Sequence, residues 1–188
     1  MKAARASFAR RMLRWMPSQL VFVDECGINL AMTPTRARAP RGERAVDRVP
    51  GGTWETYSVI AGLRSFGVTA PMMIPGAMNT ESLLAWVRSE LVPTLVPGDI
   101  VIWDNLRIHK DPAVAALITA AGARLEFLPP YSPELNPIEE AWSKTKTFLR
   151  TAKARTLDHL LNALGDALIA ISANDCAGWF LHAGYGLC

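Results

Sequence analysis

The sequence predicts an α/β fold on a mixed sheet, with three strands first and then alternating helices and strands. Three observations predict it: two apolar runs that each end in an aspartate, a hairpin signature between them, and a late helix start marked by Asn136, Pro137 and Glu139. Residues 20–24 (LVFVD) and 100–104 (IVIWD) are short, mostly β-branched or aromatic, and continuously apolar, the pattern of strands buried on both faces. Each brings a carboxylate to its carboxyl end. Residues 53–63 and 68–74 read as antiparallel strands around the turn Arg64-Ser65-Phe66-Gly67.

The helices follow from their start and stop signals. Asn79 or Thr80 caps a helix over 79–91, with Leu83, Leu84, Val87 and Leu91 at helical spacing and Pro93 beyond its end. A second helix is predicted over 112–121, stopped by Gly122 before a short strand at 124–128. Asn136 as N-cap, Pro137 at the first helical position and Glu139 at the third then open a helix to about Arg150, with Ile138, Trp142, Thr145 and Leu149 as its buried stripe. A last helix is expected over 157–171, closed by Gly178-Trp179-Phe180. Residues 36–52 are expected to form a long surface loop.

The chain has 188 residues, half of them apolar and 20% charged. That length and composition suit one folded domain and exclude a disordered chain. The most apolar stretch is broken by Asp158, His159, Asn162 and Asp166, so no run approaches the roughly 20 residues of a membrane span. Three cysteines without a C-x-x-C pair support neither a disulfide framework nor a zinc ribbon, which points to a reducing cytoplasm. The net charge is only +3 but unevenly placed. Residues 1–19 hold Lys2, Arg5, Arg10, Arg11 and Arg14 and no acid, and are expected as a basic segment ahead of a domain at 20–188. Two more clusters, Arg36, Arg38, Arg41, Arg44 and Arg48, then Lys144, Lys146, Arg150, Lys153 and Arg155, have the charge to neutralise phosphates.

Functional groups in open α/β sheets collect outside the carboxyl ends of the strands. If the two Asp-ending strands are parallel neighbours, Asp24 and Asp104 lie about 4.8 Å apart along the sheet, and Glu139 enters from the adjoining helix. Three carboxylates without clustered His or thiolate suit a hard cation such as magnesium. Two such ions can serve in-line phosphoryl displacement, which is nuclease or strand-transfer chemistry. Each acid also has an ordinary local role available: Asp24 and Asp104 as turn residues, Glu139 in a capping box with Asn136.

The string 128–142 (LPPYSPELNPIEEAW), with Val23-Asp24-Glu25 and Trp103-Asp104-Asn105, resembles the catalytic domain of DDE transposases of the mariner superfamily, in particular the bacterial insertion sequence 630 family. The 34 residues between Asp104 and Glu139 are similar to the mariner spacing with a terminal Glu, and the likeness runs from about Leu20 to Tyr185. The resemblance implies a ribonuclease-H-like fold. It also implies metal-dependent nicking at transposon ends, followed by attack of the freed 3'-hydroxyl on target DNA. On it, Asp24 bridges two Mg2+ or Mn2+ ions while Asp104 and Glu139 each hold one, with Glu140 the less favoured ligand. Asn105 and His109 are then a supporting shell, and Glu25 faces away from the metal side by strand alternation. DNA, a homodimer and a separate recognition domain or subunit are the implied partners, because family members carry helix-turn-helix domains before the catalytic domain. Here only about 19 residues precede the first strand, and the chain is expected to be the catalytic part alone. A relic that binds DNA or a partner without reaction, and a related nuclease acting on hybrids, are the alternative readings. Metal-dependent cleavage and its substrate preference separate them.

Overall fold

The computed structural model describes residues 2–12, 14–51 and 54–186, with the side chains of residues 2–4 left undescribed. Five strands form one sheet in the order β3-β2-β1-β4-β5: β1 (Leu20–Asn29), β2 (Thr56–Arg64), β3 (Gly67–Pro75), β4 (Ile100–Trp103) and β5 (Arg124–Phe127). The first three strands are antiparallel, while β4 and β5 run parallel to β1. The mixed sheet expected from the sequence is therefore present, and its parallel half begins where β1 meets β4.

Strand alternation divides the core into two layers. Leu20, Phe22, Cys26 and Ile28 of β1 and Ile100 and Ile102 of β4 face α1 (Lys2–Met12), α4 (Ile138–Ala152), α5 (Leu157–Ile169) and α6 (Ala173–His182). Val21, Val23, Val101 and Trp103 face α2 (Thr80–Trp86) and α3 (Pro112–Ala120). Trp86 and Trp103 meet edge to face at 5.9 Å in that second layer. Helices thus cover both faces of a sheet whose central strands were legible as two-sided apolar runs.

Several elements differ from expectation for identifiable reasons. β1 runs five residues past Asp24, because Cys26 and Ile28 keep the alternation going and the strand stays paired with β2 as far as Asn29–Thr56. The start expected for β2, Thr53, lies outside the described residues. The helix capped by Asn79 widens after Trp86 into a π turn (Val87–Leu91) and ends in a 3-10 turn through Pro93. The expected last helix is two: Ser172 and Asp175 form a capping box that starts α6, and Gly178 sits inside that helix instead of ending it. Residues 2–12, expected as a basic segment apart from the domain, form α1, which buries Phe8 and Met12 in the first core layer.

The register shift between β2 and β3 shows how one irregularity is held. Ala70 takes a left-handed φ of 51° in the bulge between the Gly62–Thr69 and Ile60–Met72 pairs, and a Cβ on Gly62 would stand 2.9 Å from the Thr69 methyl group. The turned Ala70 carbonyl accepts a 2.8 Å hydrogen bond from the buried Trp86 indole. Glycine at 62 lets the two strands approach at the bulge. Residues 36–51 form an exposed loop, as expected. Among the described residues no helix is long and apolar enough to cross a membrane, and Cys26 and Cys176 are buried free thiols; Cys188 lies outside the described residues.

Candidate active site

The parallel pairing of β1 with β4 places the first two acids. Leu20, Val21 and Phe22 align with Ile100, Val101 and Ile102, so continuing the register sets Asp24 beside Asp104. By alternation both follow Phe22 and Ile102 toward the face covered by α4. Glu139, in the first turn of α4, completes the arrangement. Asp24, Asp104, Asn105, Asn136 and Glu139 line one cleft of about 430 Å³. Glu140 lies on another side of α4, in a depression shared with Ser143, Lys144 and Trp179.

The three carboxylates share a mouth without closing on a point. Among the described residues, no three His, Cys, Asp or Glu side chains are gathered tightly enough to hold an ion as they stand. They do feel one another. Burial and the negative charges of Glu139, Glu25 and Asp104 together push the Asp24 carboxyl up to about 8. That is the behaviour of an acid whose charge lacks compensation, and a divalent cation in the cleft would supply it. The donor set is all oxygen, which fits a hard ion.

His109 organises the far side of Asp104. It is fully buried in the 3-10 turn Arg107–Lys110 that precedes α3, stacked at 4.4 Å on Trp103. Its Nδ1 lies 2.5 Å from Asp104 Oδ1, and its Nε2 lies 3.0 Å from Glu25 Oε1. The Leu106 N–H also donates to Asp104 Oδ1 at 3.0 Å, so that oxygen has two donors and the other is left for the cleft. Burial works against charge on His109, but its bonds to Asp104 and Glu25 outweigh it and lift the imidazole to about 9. Burial likewise raises Asp104, yet the His109 and Leu106 bonds and the nearby cations hold its carboxyl below the usual range.

Glu25 is the site residue that sequence reasoning left out. Alternation does turn it away from the cleft, as expected, but this puts it on the face where His109 lies. The signal was present as the adjacent Asp24-Glu25 pair, although nothing local showed that residue 109 would come between 25 and 104. Asn105 acts structurally, its amide donating to the Leu128 carbonyl and tying the strand-end turn to the chain beyond β5.

One expected role is corrected. Asn136 does not cap α4: Pro137 holds that position without a side-chain bond, and the Asn136 carbonyl receives the Glu139 N–H. Proline already lies in the helical region, which moves the cap one residue on, and buried Asn136 keeps an Oδ1 with no partner among the described residues. The second basic cluster also divides. Lys144 reaches the Ala170 carbonyl and Asp175 and so braces α4 to α6. Lys153 pairs with Asp47, and Arg155 is spent on the carbonyls of Leu30 and Met32. Lys146 and Arg150 share the stripe of α4 that begins at Glu139, beside Gly27, Ile28 and Asn29. Arg36, Arg38, Arg41, Arg44 and Arg48 are all exposed on the long loop.

The Glu25–His109–Asp104 chain gives a test. Glu25→Gln weakens the hold on the imidazole, and the expected result is a loss of about 10- to 100-fold in metal affinity or activity with the fold intact. Because folding raises the His109 pKa, the stability it adds is complete below about pH 6.5 and disappears as pH rises through about 9. Glu25→Gln should lower that upper midpoint, read as the pH dependence of thermal melting.

Comparison with known proteins places the chain. The sequence profile described as DDE superfamily endonuclease matches residues 19–161. No curated protein matches significantly. Among solved structures, a pre-cleavage Mos1 transpososome aligns with a TM-score of 0.72 at 16% identity, over 96% of this chain and 57% of that one. The Mos1 paired-end complex with left transposon end gives 0.74 at 17%, over 98% and 57%. The catalytic domain of Mos1 mariner transposase gives 0.66 at 14%, over 96% and 84%. The architecture is that of ribonuclease-H-like transposase catalytic domains. This chain spans a little over half the length of the Mos1 chains in the DNA complexes. Mos1 structures have been solved with Mn and with Mg.

Proposed function

Because this chain belongs to the DDE superfamily of endonucleases, we propose that it cuts DNA at transposon ends and joins the freed end to target DNA. The motif at 128–142 supports a place in the bacterial insertion sequence 630 branch of the mariner group. The observation that carries the reading is that Asp24, Asp104 and Glu139 line one cleft, in which burial first and the neighbouring carboxylates second push the Asp24 carboxyl up.

Asp24, Asp104 and Glu139 would hold two Mg2+ or Mn2+ ions, which when bound activate an attacking oxygen and stabilise the leaving one. The protein's own part is positional. His109 and the Leu106 N–H fix one oxygen of Asp104, so the carboxylate presents the other to the cleft. Glu139 rides on a helix anchored by Ile138, Ala141, Trp142 and Leu149, which sets its distance from the strand ends. Lys146 and Arg150 follow it along the same stripe, about 10 and 16 Å away down the axis, where they meet successive backbone phosphates. The exposed arginines of the 36–48 loop extend that contact. Pairing of two ends calls for two subunits, and end recognition for a separate domain or subunit; on this reading the protein acts on the nucleoid in a bacterial cytoplasm.

Supercoiled plasmid incubated with the protein and Mg2+ or Mn2+ should be nicked, and a chelator should stop it. Chelator-insensitive nicking, or none on any duplex, would remove the proposal. Cleavage of an RNA–DNA hybrid in preference to duplex would move the activity to the hybrid nuclease. The phosphate stripe is tested separately: Lys146→Ala with Arg150→Ala should weaken DNA binding and reduce the slope of log affinity against log salt by about 2, near 0.9 per lost contact.

A further inference from the structure

The cleft has two unlike walls. Carboxylates line one, and the other is built from Leu106, Pro129, Pro130, Tyr131 and Pro133. Tyr131 stands 86% exposed and Leu106 54% exposed, the two large apolar side chains of that wall left to solvent.

This exposure is held in place by the fold. Tyr131 adopts a left-handed φ of 53°, unfavourable for an aromatic residue. Arg5 of α1 grips the turn, donating to the Tyr131 carbonyl at 2.7 Å and to Ser132 Oγ at 3.0 Å and pairing with Glu134 at 3.0 Å. On the near side the Leu128 N–H donates to the Trp103 carbonyl, and Asn105 holds the Leu128 carbonyl. Three prolines stiffen what lies between. The ring is therefore presented at a set distance from Asp104 and Glu139, and among the described residues no side chain buries its face.

A nucleotide has the same division. Its phosphate is suited to a divalent ion between the carboxylates, and its base is a flat apolar surface one sugar away. We propose that Tyr131, on the same wall as Leu106, is a stacking seat for an unpaired nucleobase next to the phosphate in the cleft. The inference rests on the DNA-cutting reading above and adds a preference for DNA whose strands have separated at the cut. Stacking uses the ring and not the hydroxyl, so phenylalanine should replace tyrosine.

The test uses forked duplexes with 5-iodouracil at successive positions of the single-stranded arm, in calcium to occupy the carboxylates. Irradiation should cross-link the arm to Tyr131, identified by mass spectrometry. Tyr131→Ala should weaken binding of forked DNA by about 5- to 100-fold, with thermal melting unchanged. Tyr131→Phe should stay within about twofold of wild type. Cross-links mapping elsewhere, together with forked binding unaffected by Tyr131→Ala, would overturn the seat. So would a Tyr131→Ala variant that binds DNA normally but changes its state of association, which would make the ring a protein contact. Plasmid nicking by the unsubstituted protein in Mg2+ reports on the DNA-cutting reading independently, so either can fail while the other stands.

Discussion

Asp24→Asn should abolish metal-dependent nicking, by about three orders of magnitude or more, while making the metal-free protein more stable. Both effects come from one carboxylate. Removing it takes away a proposed ligand for the ions and with it several kcal/mol of transition-state stabilisation, each 1.4 kcal/mol being about tenfold in rate. The stability gain follows from the raised pKa. Below about pH 4 the carboxyl is protonated in both folded and unfolded chains and its burial costs little. Above that the unfolded carboxyl ionises while the folded one keeps its proton up to about 8, so each pH unit favours unfolding by up to about 1.4 kcal/mol. Metal-free wild type should lose stability between about pH 4 and 8, and the Asn variant should lack that part of the slope. Added Mg2+ should raise the melting temperature of wild type more than that of Asp24→Asn, because a ligand for the folded state stabilises it by mass action. A variant that nicks at the wild-type rate would take Asp24 out of the site.

The largest effect on stability is expected far from the cleft, at Arg64. Its guanidinium meets Asp99 with both forks, at 3.2 and 2.6 Å, and also donates to the Thr94 carbonyl at 2.9 Å. Asp99 in turn accepts from the Val96 N–H, and both residues are almost wholly buried, 6% and 2% exposed. The pair ties the end of β2 to the turn leading into β4. Arg64→Leu leaves a buried carboxylate without its cation, which costs about 3–5 kcal/mol. In a protein of this size that lowers the melting temperature by on the order of 10 °C. Arg64→Met combined with Asp99→Leu should recover most of it, since two apolar side chains leave no unpaired charge. Equal losses in the single and double variants would show that packing, not the ion pair, holds this corner.

Much of the candidate site was legible because its acids lie at the ends of strongly patterned segments. The runs ending in Asp24 and Asp104 are too apolar to be anything but central strands, and the Pro137–Glu139 start locates the third acid on a helix. The basic stretches were less legible. Charge alone did not distinguish Lys146 and Arg150 from Lys144, Lys153 and Arg155, because helical face and the position of Asp175, Asp47 and the 30–32 carbonyls decide which cations remain available. Helix α1 went unread for a related reason: its large apolar residues are few, and only packing against the finished sheet makes Phe8 and Met12 a buried pair.

By itself the sequence determined the sheet's strands, the three candidate acids and the motif around Tyr131, since local periodicity and residue type are properties of neighbouring positions. Only the tertiary structure decided that His109 lies between Glu25 and Asp104, that Arg5 grips the 131–134 turn, and that Arg64 reaches Asp99. Those contacts join residues 84, 126 and 35 positions apart. A separation of that size is closed by the parallel pairing of β1 with β4 and by helix packing, and no local pattern encodes it.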